Sequence, residues 1–439
     1  MIKMLLEKYR KFPPAVKASF WFTVSNVMLR GISFITLPLF SRILTTSEYG
    51  VVSVFTSWET LLSIFCTLTL WGGVFNLVLV KYPKERDKYL AAFQGLATTL
   101  TIVFFTITVI FIRPFHKLTT LSPFLIVCLY LGIIAQTPYN LWQGKQRFDY
   151  KYKLIVFITV IISVLNPIIG YIAVTHTEYK AEARIVVGVV LNLIVGILFF
   201  IINLEKGKLF FEKRIWNYAI KFNVVLVPHY LSMQILSHSD RIMITNMCST
   251  SDTGIYSVAY SFAMLLTLIT NGINASFTPF IYKCIKDERY DKLRKSTTVL
   301  LLGIAVMTVA MVCVIPDVFR LMLPESYYPA IWVIPPVAAA VYFMFLYPLF
   351  GSVEFYYEAK KYVTTASVFG AIINVFLNYV FIKLFGFIAA AYTTLFCYIC
   401  FSVFHYFAMK IVLKKHNMST SIYEIKTILV ISLILLIGI

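Results

Sequence analysis

The chain has 439 residues, of which 59% are hydrophobic and only 13% charged. No polar stretch is long enough for a soluble domain, so it reads as an all-α polytopic membrane protein. Its 39 Lys and Arg against 20 Asp and Glu would suggest nucleic acid in a soluble protein, but here they sit in short connections between apolar runs, where membrane lipids with anionic headgroups are the expected partner and nucleic acid is not.

Apolar runs of spanning length fall near 18–44, 50–80, 89–112, 121–142, 154–174, 183–204, 217–247, 254–282, 296–316, 327–351, 362–383 and 386–410. Twelve transmembrane helices are therefore expected. A thirteenth apolar segment starts near Thr427 and reaches Ile439, short of the roughly 20 residues needed to cross; it is read as lying on the interface or as part of something longer. The first run is too long for the h-region of a cleavable signal and is expected to stay in the mature chain. The seven cysteines, mostly inside apolar runs, suggest no disulfide framework, and Cys397 with Cys400 lacks the second ligand pair of a zinc site. No metal or cofactor is expected.

The first run carries Arg30 near its midpoint, about 18 Å from either end at 1.5 Å per residue. Its insertion cost is roughly 2.5–3.5 kcal/mol on translocon scales, so something polar must surround it. Thr23, Asn26, Arg30 and Ser33 form one stripe down a helical face, which is expected to face a cavity or partner helices. The competing reading is a structural arginine satisfied by a carboxylate or by helix-end carbonyls. In the second run Glu59 reaches a similar depth, and an Arg30–Glu59 pair is the expected way the arginine is tolerated.

In the seventh run Tyr230, Gln234, His238, Arg241 and Thr245 share a face, with Asp240 adjacent. Asp240 and Arg241 are expected in the outer leaflet, as a packing ion pair or as a substrate contact. His238 has the unperturbed pKa of a proton carrier, although a lone helical histidine is more often structural. The eighth run brings Asn271 and Asn274 beside Gly272, with Pro279 further on, where a bend is expected to expose carbonyls.

The N-terminal Lys3, Lys8, Arg10, Lys11 and Lys17 and the even-numbered loops hold 29 of the 39 basic residues, and the odd-numbered loops hold 8. By the positive-inside rule the N-terminus is cytoplasmic. A repeat appears at an offset of about 204: TTSEYGVVSV (45–54) matches STSDTGIYSV (249–258). Six helices separate the copies, so the halves are parallel repeats. The expected organisation is an N-lobe at 1–204 with helices 1–6, a C-lobe at 205–412 with helices 7–12, and a tail at 413–439. Ser47 and Ser251 precede acidic residues and are expected to cap the helices that follow.

The loops are at most about 17 residues, without paired carboxylates, HExxH or a glycine-rich phosphate loop, so a soluble active site has no place. No filter-like sequence suggests a channel. Alternating access is the remaining mechanism.

RGISFITLPLFSRILTTSEYGVVSVF (30–55), SHSDRIMITNMCSTSDTGIYSVAYSF (237–262), FTPFIY (277–282) and INVFLNYVFIKLFGFIAAAYTT (373–394) together resemble the Wzx-type O-antigen and capsule flippases of the multidrug/oligosaccharidyl-lipid/polysaccharide superfamily. The resemblance covers essentially the whole chain. It implies a V-shaped pair of six-helix lobes in the bacterial inner membrane, carrying an undecaprenyl-pyrophosphate-linked oligosaccharide outward for lipopolysaccharide or capsule assembly. Cationic cavity residues would hold the pyrophosphate and sugar acids, a role that suits Arg30 and Arg241, because a guanidinium binds phosphate oxygens bidentately and stays charged. Asn26, Glu59, Gln234, His238, Asp240, Asn271 and Asn274 complete the candidate substrate-binding set. A coupling proton or sodium ion and a polysaccharide polymerase are further partners that the resemblance admits. The rival readings are a cation-coupled multidrug exporter of the same superfamily, which Glu59 favours and Arg30 disfavours, and a membrane-embedded polymerase or ligase, for which the outer loops are too short.

Overall fold

A computed structural model describes residues 13–418 and 421–439; the basic residues before Lys17 that helped to set the orientation lie outside them. Among the described residues there are seventeen α-helices, one 3-10 helix and no strand. In chain order they are α1 Pro14–Ile43, α2 Thr46–Thr67, α3 Val74–Lys81, α4 Arg86–Ile110, α5 Ile112–Thr119, α6 Pro123–Phe148, α7 Lys153–Thr175, α8 Lys180–Gly207 and α9 Lys213–Val224. The remainder are α10 Val227–Met247, α11 Thr250–Ala263, α12 Leu266–Lys286, α13 Tyr290–Met322, the 3-10 segment Glu325–Val333, α14 Ile334–Tyr356, α15 Lys360–Phe385, α16 Ala389–Lys415 and α17 Ile425–Gly438.

Ten of these helices are long and apolar enough to cross a membrane, and up to twelve spans result if each of two bent pairs counts as one. The chain is thus a multi-pass helical membrane protein. The eighth run bends by 43° between α11 and α12. That break lies at Met264–Leu265, not at Gly272 as expected, and Pro279 is accommodated inside α12. The second run is interrupted between α2 and α3, where Leu68 and Thr69 take left-handed backbone conformations. Backbone freed there needs partners, because lipid supplies none. Asn223 provides them: its Nδ2 donates to Leu68 O at 2.8 Å, and its Oδ1 accepts from Val74 N at 3.1 Å.

The chain forms two compact units, one of residues 1–44 and 51–231, the other of residues 45–50 and 232–439. Residues 205–231, placed by the sequence with the second lobe, cluster with the first unit. The reason is local: Ile215 and Ala219 of α9 belong to a core with Phe75, Leu79, Phe93 and Leu141. In the first unit α6 and α8 approach closely because Gly196 faces the Ala135 backbone. Between them and α4 a buried polar bridge forms, in which Asn203 Nδ2 donates to Gln94 Oε1 at 2.9 Å and to Pro138 O at 3.1 Å.

In the second unit the two copies of the repeat meet. Thr46 Oγ1 and Ser251 Oγ are 2.7 Å apart. A Cβ at Gly50 would overlap the Thr250 carbonyl, and one at Gly254 would overlap the Thr46 carbonyl. This is a reciprocal backbone contact that only glycine permits. The helix caps fall two residues before the expected serines: Ser249 Oγ accepts from Asp252 N at 3.0 Å, and Thr45 Oγ1 accepts from Glu48 N at 3.2 Å while the Glu48 carboxylate takes the Thr45 N–H at 2.7 Å. That arrangement is a capping box. The thirteenth run forms α17, about 21 Å long at 14 residues. It packs into the core of the second unit through Ile428, Ile431 and Leu435, and Ser432 Oγ lies 3.2 Å from the Tyr342 hydroxyl.

Candidate functional site

Two polar constellations stand out, one in each unit. In the first, α1, α6, α7 and α8 enclose a cavity of about 440 Å³, within the range of small-molecule sites. Its polar lining includes Ser33, Gln136, Asn140, Asn166, Arg184 and Asn192, and no lining residue is acidic. Arg184 Nη1 donates to Asn166 Oδ1 at 2.6 Å, and its guanidinium lies over the Phe40 ring at 4.4 Å. Gly170 leaves room for Arg184, and Gly188 for the Asn166 amide. Asn192 follows Arg184 by two helical turns, so both side chains belong to one face of α8.

Arg30 and Asn26 are exposed on α1, and among the described residues neither has a hydrogen-bond or ion-pair partner. Of the polar stripe on α1, only Ser33 contributes to the cavity lining. Glu59 does not pair with Arg30. It accepts from Gln136 Nε2 at 2.9 Å and occupies the space left by Gly132. The carboxylate thus lies one hydrogen bond behind a cavity-lining amide, and its partner is an i+4 neighbour of Gly132 on α6 rather than a residue of α1.

In the second unit Asp240 is fully buried. Its Oδ2 accepts from the Tyr256 hydroxyl at 2.6 Å and from Thr394 Oγ1 at 3.0 Å, and its Oδ1 accepts from Asn378 Nδ2 at 2.6 Å. Thr393 Oγ1 donates to Asn378 Oδ1, and Ser239 Oγ donates to Asn374 Oδ1 at 2.9 Å. The expected Asp240–Arg241 ion pair is absent among the described residues. Adjacent residues on a helix point 100° apart, so Arg241 turns away, donates from Nη1 to Ser237 O at 2.8 Å and lies over the Tyr260 ring at 4.5 Å. His238 Nδ1 is buried without a hydrogen-bond partner among the described residues. Gln234 and Asn274 are half-buried, and Asn271 is exposed.

The candidates therefore do not converge on one another within either unit, and the sequence reading missed Arg184, Asn166, Asn192 and Gln136 in the first and Asn374, Asn378, Thr393 and Thr394 in the second. Asn374 and Asn378, one turn apart in an apolar run, were the available signal. Arg184 gave none, because it stands at the very start of its run and reads as a loop residue.

The first unit thus holds a cavity with polar groups and one guanidinium in its lining, and the second holds a buried carboxylate network, both within apolar helices. The family model described as "Polysaccharide biosynthesis protein" matches residues 15–285, and the chain belongs to that family. A second model, MatE, matches residues 226–380. "Lsg locus putative protein 1" of Haemophilus influenzae is 22% identical over 372 residues, covering 82% of this chain and 89% of that protein. Among solved structures, "Lipid II flippase MurJ, inward closed conformation" superposes with a TM-score of 0.71 at 14% identity, covering 95% of this chain and 90% of that one. An inward-facing multidrug resistance MATE family transporter of the MOP superfamily gives a TM-score of 0.68 at 12% identity, with 88% of this chain and 96% of that one covered. The fold is thus shared with that lipid II flippase and with that MATE family transporter.

Proposed function

We propose that this protein is a flippase that carries an undecaprenyl-pyrophosphate-linked oligosaccharide from the cytoplasmic to the outer leaflet by alternating access, supplying O-antigen or capsule assembly. The observation that carries the reading is the polar part of the cavity lining in the first unit: amides, hydroxyls and the Arg184 guanidinium set among apolar residues such as Leu29, Ile32 and Val195, with no carboxylate. Such a surface offers donors and acceptors to a polyhydroxylated, anionic solute and repels a lipophilic cation.

In this reading Arg30, exposed at mid-span and without a carboxylate partner among the described residues, takes the pyrophosphate, since a guanidinium matches phosphate oxygens in pairs. Asn26, Gln234, Asn271 and Asn274 serve sugar hydroxyls, with Arg241 as a second cation and His238 as a polar neighbour. Asp240 acts in coupling. A buried carboxylate hydrogen-bonded only by neutral donors is costly to keep ionised, and the carboxylate, amide and hydroxyl oxygens around it are ligands of the kind a sodium ion or a proton would take. The multidrug-exporter reading rests on Glu59, which stands behind Gln136 and could draw a cation toward the cavity wall.

The two readings separate in proteoliposomes loaded with either a fluorescent undecaprenyl-pyrophosphate oligosaccharide or a cationic dye. Movement of the lipid-linked sugar, reduced at least tenfold by Arg184→Gln, supports the flippase. Dye efflux abolished by Glu59→Gln, with no sugar movement, overturns it.

A further inference from the structure

The turn from α12 into α13 is strongly basic. Residues 283–295 hold six basic residues against three acidic ones. Two of the acids are matched locally: Asp287 Oδ2 lies 3.0 Å from Arg289 Nη2, and Asp291 Oδ1 lies 3.1 Å from Arg294 Nη1. Arg294 is further engaged, because its Nε donates to Ser421 O at 3.0 Å. Lys292 and Lys295 remain, one helical turn apart on the same face of α13. Both are exposed, and neither has an ion-pair partner among the described residues. The Lys292 ammonium lies 5.7 Å from the centre of the Phe280 ring.

Phe280 and Lys295 belong to the wall of a groove of about 870 Å³ between α12 and α13. Away from the turn that wall is mainly apolar, formed by Ile269, Ile273 and Phe277 of α12 with Val299 and Leu300 of α13, and no lining residue is acidic. Gly272 is part of the same wall, and a Cβ built on it would meet nothing within 4 Å. The groove is therefore open along its length rather than plugged by a neighbouring side chain. The residues of α12 that line it, from Phe280 back to Leu268, cover about 18 Å at 1.5 Å per residue. One leaflet of hydrocarbon is about 15 Å thick, so the groove is as deep as a single leaflet. Its cations stand only at the end beside the turn. Lys295 comes five residues after the start of α13 at Tyr290, about 8 Å along the axis, a distance that a lysine stem covers when its ammonium reaches up to headgroup level.

We propose that this groove binds one anionic phospholipid of the leaflet beside the 287–289 turn, expected to be the cytoplasmic one. The phosphate sits between Lys292 and Lys295, and one acyl chain runs along α12 as far as Leu268. Charge selects the occupant: two ammonium groups with no acid in the lining favour a headgroup of net negative charge over a zwitterionic one. Depth selects it as well, because a phospholipid chain ends where the groove ends, whereas a polyprenyl tail is far longer than one leaflet. The site depends on the lysines and the groove alone and not on which solute the protein carries.

The test is photo-crosslinking of the purified full-length protein in phosphatidylcholine nanodiscs. These contain a trace of either phosphatidylglycerol or phosphatidylcholine carrying the same diazirine-labelled acyl chain, and the tagged residues are mapped by mass spectrometry. Tagging within residues 266–300 should be at least about fivefold stronger with the phosphatidylglycerol probe, the gain of one lysine near the surface. The double variant Lys292→Gln, Lys295→Gln should bring that ratio close to one. Gly272→Trp, which fills the groove, should lower tagging there by both probes. Equal tagging by the two probes in the wild type means that bulk lipid fills the groove and overturns the proposal, as does a ratio that survives in the double variant. Loss of the phosphatidylglycerol tag on adding an equimolar undecaprenyl-pyrophosphate oligosaccharide would assign the groove to a polyprenyl carrier and also overturns it. Should Gly272→Trp fail to fold, the ratio in the double lysine variant decides.

Discussion

Gly196→Ala is the substitution whose effect the structure specifies most closely. A Cβ at this position would lie 2.7 Å from Ala135 Cα and 2.9 Å from Ala135 C, and nearer still to the carbonyl oxygen. Carbon–carbon contacts settle at about 3.5–4.0 Å. Backbone atoms are the obstacle, so no rotamer change relieves it, and α6 and α8 must part by about 1 Å. Overpacking of this kind costs about 1–3 kcal/mol. The separation would also displace the cavity lining, because Ala135 and Gln136 come from one side of the contact and Asn192 and Val195 from the other. Thermal unfolding in detergent, followed by tryptophan fluorescence, should give a lower midpoint for Gly196→Ala than for Gly188→Ala, whose new Cβ would meet only the Asn166 amide at 3.6 Å. Equal midpoints for the two variants would refute the close-approach argument and with it the account of how the cavity is shaped.

Three further outcomes follow from the same geometry. Asn223→Leu leaves Leu68 O and Val74 N without their partner and should destabilise the protein by about 1–3 kcal/mol for each buried group, measured by thermal unfolding; Asn223→Asp, which keeps only the acceptor, should fall between it and the wild type. Ser249→Ala removes the cap at the start of α11 and should cost about 1 kcal/mol, whereas Ser47→Ala should cost less if Thr45 is the true cap; the reverse order contradicts the assignment. In a cysteine-free background, a cysteine at Ser249 should be labelled by an impermeant maleimide on intact cells and one at Lys286 only after permeabilisation; the opposite pattern would invert the topology.

The helical membrane class was legible because it depends on local properties: the length of each apolar run and the side on which basic residues collect. Breaks within runs were not. The interruption at 68–73 is stabilised by Asn223, about 150 residues later in the chain, and no local pattern announces that pairing. The shift of the caps from Ser47 and Ser251 to Thr45 and Ser249 is a small-scale version of the same limit, since several hydroxyls precede each helix and only the helix start selects among them. Arg30 was visible because a charge at mid-run stands out in any apolar pattern, but the polar surrounding expected for it is not found: it is exposed on α1 and outside the cavity lining. Arg184 sits at a run's edge and is polar for reasons that lie on another helix. Glu59 was placed at Arg30's depth in the membrane, but depth alone could not choose Gln136 over Arg30 as its partner.

The central claim, that Arg30 handles the anionic part of a lipid-linked glycan, is tested most directly by flipping of a fluorescent undecaprenyl-pyrophosphate oligosaccharide in proteoliposomes holding equal amounts of wild-type, Arg30→Ala and Arg30→Lys protein. A rate reduced at least tenfold in Arg30→Ala and partly retained in Arg30→Lys is the predicted result. Equal losses in both that track a lower yield of folded protein, or no loss in either, would contradict it.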